Sequence, residues 1–118
     1  MEFVAFVGTD KENWGQIKAL MNRVECEKII LVKNKDSEEF PVEDKTKIIK
    51  VDCSKPITQL KEEILESLRK ELSGDFEVYL SLASGNGKEH MAVISALLNL
   101  PVGIKLVVYT KEGIQFLS

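Results

Sequence analysis

The chain has 118 residues, of which 44% are hydrophobic and 30% are charged. This length fits a single domain, and the apolar content excludes an intrinsically disordered chain. The net charge is −3, so the chain lacks the basic balance of proteins that grip long nucleic acids, and direct DNA binding is not expected. Because no apolar stretch has membrane-spanning length and no secretory leader is recognisable, we expect no membrane association and a cytoplasmic location.

The first half of the chain predicts three strands and one helix. A continuous apolar run over 3–7 is typical of a strand buried on both faces, and Gly8 ends it. Thr9 or Asp10 is expected to cap a helix over about 11–23, where apolar residues recur at three- and four-residue spacing. The remaining predictions are a second buried strand over 29–32, a polar loop over 33–44, and a third strand over 47–52 near a sheet edge.

The second half continues this alternation of strands and helices. An amphipathic helix is predicted over 57–72, a fourth strand over 76–82, an apolar helix over 88–99, a fifth strand over 104–109, and an antiparallel sixth strand over 114–117. Strands that alternate with helices imply right-handed crossovers and a mainly parallel sheet. We therefore predict one α/β domain over 1–118, a three-layer Rossmann-like sandwich with six strands and a C-terminal antiparallel hairpin strand.

The most informative polar residues follow the first and fourth strands. If those strands are central neighbours, their carboxyl ends flank a crevice, which is the usual ligand position in open α/β sheets. After the first strand, Gly8 permits close approach of a ligand, while Thr9 offers a hydroxyl beside the free N–H groups of a helix start. Gly8, Thr9 and Asp10 are therefore predicted to bind a ligand, and the alternative for this loop is an ordinary helix cap.

The loop after the fourth strand reads Ser84, Gly85, Asn86, Gly87, Lys88. Its two glycines and its asparagine tolerate positive φ and can expose successive N–H groups to a phosphate. A lysine at a helix start opposes the helix dipole, which makes better sense if an anion shares the site. All five residues are therefore candidate ligand-binding residues, and the alternative is a tight turn with an exposed lysine.

Several other sites are disfavoured by spacing. A P-loop needs glycine at Leu82 and a hydroxyl residue at Glu89, and a dinucleotide fingerprint needs a third glycine at His90. Cys26 and Cys53 are expected to be reduced thiols, and with the single histidine they form no recognisable metal motif. No metal site and no cofactor are therefore predicted.

Three predictions concern residues near the loops. His90 could reach a ligand or exchange a proton with it, although a surface histidine is the commoner outcome. Glu89 has no obvious partner and is expected to face solvent. Trp14, Met21 and Met91 are expected in the core rather than on a platform for stacking bases.

The two loops resemble those of the CRISPR-associated Rossmann-fold (CARF) sensor domains. The resemblance runs over nearly the whole chain and is carried by VAFVGTD at 4–10 and by SGNGK at 84–88. The family commonly has a threonine-glycine-glycine-threonine-lysine loop after its fourth strand. Here Asn86 replaces the second glycine, and Gly87 replaces the hydroxyl residue before Lys88.

This resemblance implies a homodimer that binds a cyclic oligoadenylate, or a similar small anionic nucleotide, across its two-fold axis in antiviral signalling. Each subunit would contribute Gly8 to Asp10 and Ser84 to Lys88, with Lys88 and the loop N–H groups on phosphates. One alternative is a metal-independent ring nuclease, in which Thr9 would position the ligand and Lys88 would stabilise developing charge. Another is a structural dimerisation domain.

Overall fold

The computed structural model describes residues 1–42, 44–74 and 76–118. Glu43, in the stretch predicted as a polar loop, lies outside the described residues. The strands are β1 (Glu2–Val7), β2 (Lys28–Asn34), β3 (Thr46–Val51), β4 (Glu77–Ser81), β5 (Gly103–Thr110) and β6 (Gly113–Phe116). The helices are α1 (Trp14–Arg23), α2 (Ile57–Glu71) and α3 (Gly87–Leu98), and a short 3-10 turn at Lys11–Asn13 precedes α1.

The six strands form one sheet in the order β3-β2-β1-β4-β5-β6. All neighbouring pairs are parallel except β5 and β6, which form the antiparallel hairpin. The predicted α/β fold is therefore confirmed. β1 lies between β2 and β4, so the order along the sheet reverses direction there, and the carboxyl ends of β1 and β4 are adjacent.

Every residue of β1 is buried, because both faces of the sheet are covered at its centre. On one face, α2 and α3 pack their leucine, isoleucine, valine and alanine side chains over Val4 and Phe6. On the other face, α1 packs over Phe3, Ala5 and Val7. Successive apolar side chains of β1 therefore pack into two separate cores, one on each face of the sheet. This packing holds the carboxyl end of the strand in a fixed position.

Helix α2 divides cleanly into an apolar and a charged side. Leu60, Ile64, Leu65 and Leu68 are buried, as their spacing predicts. The spacing also predicts Ile57 and Leu72 in this stripe. Leu72, just beyond the last helical residue, is partly buried against the same core, whereas Ile57, the first helical residue, is exposed. Among the described residues, no helix is both long enough and apolar enough to cross a membrane.

Some predicted boundaries were wrong. The polar loop was expected from residue 33, but β2 continues to Asn34 and buries Lys33 completely. The Lys33 ammonium donates to the Ser37 carbonyl oxygen at 3.1 Å, which offsets part of the cost of removing its charge from water. The fourth strand begins at Glu77 rather than at Phe76, whose side chain is 92% exposed.

Replacing the buried Leu60 by alanine should lower the free energy of unfolding by about 2–5 kcal/mol, because it leaves a cavity between α2 and the sheet. Ile57→Ala, in the same helix, is the matched control and should cost less than about 1 kcal/mol. Urea denaturation measures both values. Equal losses in the two variants would contradict the packing described for α2.

Candidate functional site

The loops after β1 and β4 are joined by one buried hydroxyl group. The Ser84 Oγ accepts a hydrogen bond from the Gly8 backbone N–H at 2.8 Å and donates to the Asp10 Oδ1 at 2.6 Å. A Cβ atom on Gly8 would lie only 2.7 Å from the Gly85 Cα, so only glycine permits this approach. The two loops therefore meet at the same edge of the sheet, as the sequence predicts.

Asp10 connects the loops rather than capping a helix. Its carboxylate accepts from the Asn13 side-chain amide at 2.7 Å and from the Gly85 N–H at 3.0 Å, besides the Ser84 hydroxyl. Neither the 3-10 turn nor α1 has a side-chain cap, so the prediction that Thr9 or Asp10 caps the helix was wrong. The Asp10 carboxylate is used instead to bind the second loop.

These contacts change the acidity of Asp10. Burial raises the pKa of its carboxyl, but the hydrogen bonds from Asn13, Ser84 and Gly85 favour the charged form and outweigh that effect. The pKa of Asp10 is therefore below its usual value. The carboxylate is charged at neutral pH and places a negative charge next to the loop expected to bind an anion.

The start of α3 is closed by a reciprocal capping box. The Asn86 side-chain oxygen accepts from the Glu89 N–H at 2.9 Å, and the Glu89 carboxylate accepts from the Asn86 N–H at 2.9 Å. The expectation that Glu89 faces solvent without a partner was therefore wrong. An asparagine followed three residues later by a glutamate is the sequence signal that could have revealed this contact.

Gly85 is the loop residue that needs positive φ, at +104°. Asn86 and Gly87, also predicted to tolerate this conformation, do not adopt it. The Gly85 N–H donates to the Asp10 carboxylate, and the Asn86 N–H donates to the Glu89 carboxylate. Two of the backbone N–H groups expected to bind a phosphate are therefore already bonded to carboxylates of the protein.

The next two N–H groups, of Gly87 and Lys88, remain available. Neither has a hydrogen-bond acceptor in the part of the chain that the structure describes. No atom lies within 4 Å of the position that a Cβ of Gly87 would occupy. A ligand can therefore approach Gly87 from that side. Because α3 has twelve residues, its dipole makes this end partly positive.

A third loop, between β3 and α2, also reaches the site. The Lys88 ammonium donates to the Cys53 carbonyl oxygen at 2.8 Å. Burial, with the neighbouring Glu89 carboxylate as the second cause, raises the pKa of the Cys53 thiol to about 12, so this thiol is protonated at neutral pH. Sequence analysis missed this contact because a backbone carbonyl carries no side-chain signal.

His90 is hydrogen-bonded to the backbone of the second loop. Its Nε2 lies 2.7 Å from the Ser84 carbonyl oxygen, which can only accept, so the Nε2–H donates. The side chain is half-buried. His90 is therefore neither a freely exposed surface histidine nor a group directed at the open side of the loops.

The predicted core residues divide into two groups. Trp14 and Met21 are buried, as expected, and the Trp14 indole N–H donates to the Gly8 carbonyl oxygen at 2.9 Å. Met91 was also expected in the core, but its side chain is 63% exposed on α3. An apolar helix pattern alone does not distinguish the inner face from the outer face.

The arrangement can hold a small anion at the rim of the two loops. Thr9, Asn86 and Gly87 are exposed there, and the Lys88 ammonium donates to the Cys53 carbonyl oxygen of the third loop. Among the described residues, no group of three or more histidine, cysteine, aspartate or glutamate side chains could hold a metal ion. The chemistry offered is hydrogen-bond donation and a single positive charge.

Comparison of the chain with protein-family models, with curated proteins and with solved structures finds no match.

The close approach of the two loops predicts that Gly8→Ala destabilises the protein by about 1–3 kcal/mol, since the new methyl group would collide with Gly85 and Asp10. Gly15→Ala is the control, because it lies in α1 with open space around its Cα and should be neutral or stabilising by about 0.5–1 kcal/mol. Thermal denaturation measures both changes. A tolerated alanine at position 8 would contradict the contact.

The lowered pKa of Asp10 predicts a pH-dependent contribution to stability. Because the folded pKa lies below the unfolded one, the carboxylate stabilises the fold above about pH 4, and this contribution is lost as the pH falls through the folded pKa. The stability difference between the wild type and Asp10→Asn should therefore be constant near neutral pH and shrink below about pH 4. Denaturant titrations at several pH values test this, and a gap that persists at low pH would refute it.

Proposed function

We propose that this chain is a CARF-like ligand-sensing domain, acting in the cytoplasm in CRISPR-linked antiviral signalling. In this proposal a homodimer binds a cyclic oligoadenylate, with the loops of Gly8–Asp10 and Ser84–Lys88 from each subunit around the ligand. The carrying observation is that Ser84 joins the two loops at the carboxyl ends of adjacent central strands. Ligands of open α/β sheets bind at such a reversal of strand order.

The open N–H groups of Gly87 and Lys88 support the choice of a phosphate ligand. They lie at the partly positive end of α3, and the two joined loops also carry the exposed Thr9 residue and the Lys88 ammonium. A phosphodiester oxygen accepts hydrogen bonds from both kinds of donor. Asn86 is exposed, but its side-chain oxygen is used in the capping box, so only its amide nitrogen is left for phosphate or ribose.

The balance of charge supports a small ligand rather than a long nucleic acid. Asp10 and Glu89 already accept hydrogen bonds from two loop N–H groups, and the chain has a net charge of −3. A long polyanion would be repelled by the remaining surface. A ring of a few nucleotides needs donors over only a short distance, which two copies of this rim can supply.

Binding of cyclic tetra-adenylate should raise the melting temperature by on the order of 10 °C at a hundredfold excess over Kd. Lys88→Ala should remove this shift, because it deletes the ammonium group of the second loop. Lys70→Ala is the matched control, since that lysine is exposed on α2 and should leave the shift unchanged. A panel of cyclic adenylates that produces no shift in the wild type would refute the proposal.

The same sample distinguishes sensing from cleavage. In the proposed sensor, labelled cyclic tetra-adenylate stays intact during hours of incubation in EDTA. Linear products that disappear in Lys88→Ala would instead support the ring nuclease, with Lys88 on the developing charge. If neither binding nor cleavage occurs while the protein remains dimeric, the structural dimerisation domain is the surviving alternative.

A further inference from the structure

The Lys88 side chain is held by a neutral acceptor rather than by a carboxylate. Seven other lysines pair with a carboxylate of the described residues: Lys11, Lys28, Lys35, Lys47, Lys50, Lys55 and Lys61. Within the same part of the chain, no carboxylate lies at ion-pair distance from the Lys88 ammonium, although this side chain is half-buried. Its acceptor is the Cys53 carbonyl oxygen of the third loop, at 2.8 Å. Lys88 is therefore restrained while its charge stays uncompensated.

This restraint leaves the ammonium able to bind a second acceptor. A lysine ammonium has three N–H donors, and the Cys53 carbonyl oxygen takes one of them. A long side chain that is already restrained loses less conformational entropy when it binds an anion. The third loop therefore prepares Lys88 for a ligand to the extent that the Cys53 carbonyl oxygen is itself held in place.

The Cys53 carbonyl oxygen is held through the peptide groups on both sides of its Cα. This oxygen and the Ser54 N–H belong to one planar peptide group. The Ser54 N–H donates to the Asp52 Oδ1 at 3.0 Å, and the Ser54 hydroxyl donates to the same oxygen at 2.6 Å. In the preceding peptide group, the Cys53 N–H donates to the Asn34 side-chain oxygen at 2.9 Å. Two side-chain acceptors therefore set the orientation of this short backbone segment.

Asn34 connects the segment to the sheet. It is the last residue of β2 and lies opposite Val51 of β3. Its own carbonyl oxygen accepts from the Ser37 N–H at 3.1 Å and from the Ser37 hydroxyl at 2.9 Å. A series of contacts therefore runs from the end of the sheet at Asn34, through the backbone of Cys53, to Lys88 at the start of α3.

We infer that Asn34 is a positioning residue for Lys88, because it holds the Cys53 carbonyl oxygen that restrains the ammonium. The inference rests on the proposed function, in which Lys88 binds a phosphate of the ligand. Asn34 acts through the backbone of the third loop and not by contact with the ligand. Its uncharged amide suits this role, since it accepts a hydrogen bond without adding a negative charge near an anion.

Amine labelling of the unliganded protein tests the restraint on Lys88 directly. With N-acetoxysuccinimide and peptide mass mapping, Lys88 should react about three- to tenfold faster in Asn34→Ala than in the wild type, relative to the exposed Lys70, because the restraining contact is weakened. Asn34→Asp keeps an acceptor for the Cys53 N–H and should keep the wild-type rate. Asn22→Ala, at an exposed position of α1, is the matched control. An unchanged Lys88 rate in Asn34→Ala, or an equal acceleration in Asn34→Asp, would overturn the inference.

Asp52→Ala replaces this variant if Asn34→Ala does not fold, which circular dichroism reports. The substitution removes the acceptor of the Ser54 N–H and frees the peptide group that carries the Cys53 carbonyl oxygen. Labelling of Lys88 should then accelerate by a similar factor of about three to ten. A wild-type labelling rate in the folded Asp52→Ala protein would overturn the inference.

Calorimetric titration with cyclic tetra-adenylate extends the test to binding. Asn34→Ala should raise Kd about three- to tenfold, because Lys88 then loses its side-chain freedom only when the ligand binds. Asn22→Ala should leave Kd unchanged. A wild-type Kd in Asn34→Ala would overturn the inference and leave the proposed function intact. If no cyclic adenylate binds the wild type, the proposed function fails, and the labelling rates still decide whether Asn34 positions Lys88.

Discussion

The hydroxyl of Ser84, held between the Gly8 N–H and the Asp10 carboxylate, is the contact on which the geometry of this edge depends. It joins the ends of two parallel strands that are far apart in sequence. The contact forms only because Gly8 has no side chain, which allows the Gly85 backbone to approach. The two apolar cores on either side of β1 bury the strand, and the hydrogen bonds of Ser84 connect the loop that follows β1 to the loop that follows β4.

The site contains its own negative charges, and this limits what it can bind. Asp10 and Glu89 satisfy the N–H groups of Gly85 and Asn86, so these two donors are not free for a ligand. The Gly87 and Lys88 N–H groups are the remaining donors at the start of α3. The anionic ligand of the proposed function would have to reach these two donors and avoid the two carboxylates.

The sequence predicts the fold well because its signals are local and repeated. The apolar runs of β1 and β2 and the spacing in α2 indicate strand and helix directly, and their alternation implies a parallel sheet. The polar contacts of the site are harder to predict. Lys88 bonds to the carbonyl oxygen of Cys53, and a backbone acceptor has no side-chain pattern. Asp10 could cap a helix or bind Ser84, and only the packing of β1 against β4 decides between these.

The single tryptophan of the chain is built into this edge. Trp14 is buried, packs edge-on against Phe40 at 5.1 Å, and donates its indole N–H to the Gly8 carbonyl oxygen. Any event that displaces Gly8 changes the polarity around the indole ring. The molecule therefore carries an intrinsic fluorescent reporter whose emission follows the state of the first loop without any added label.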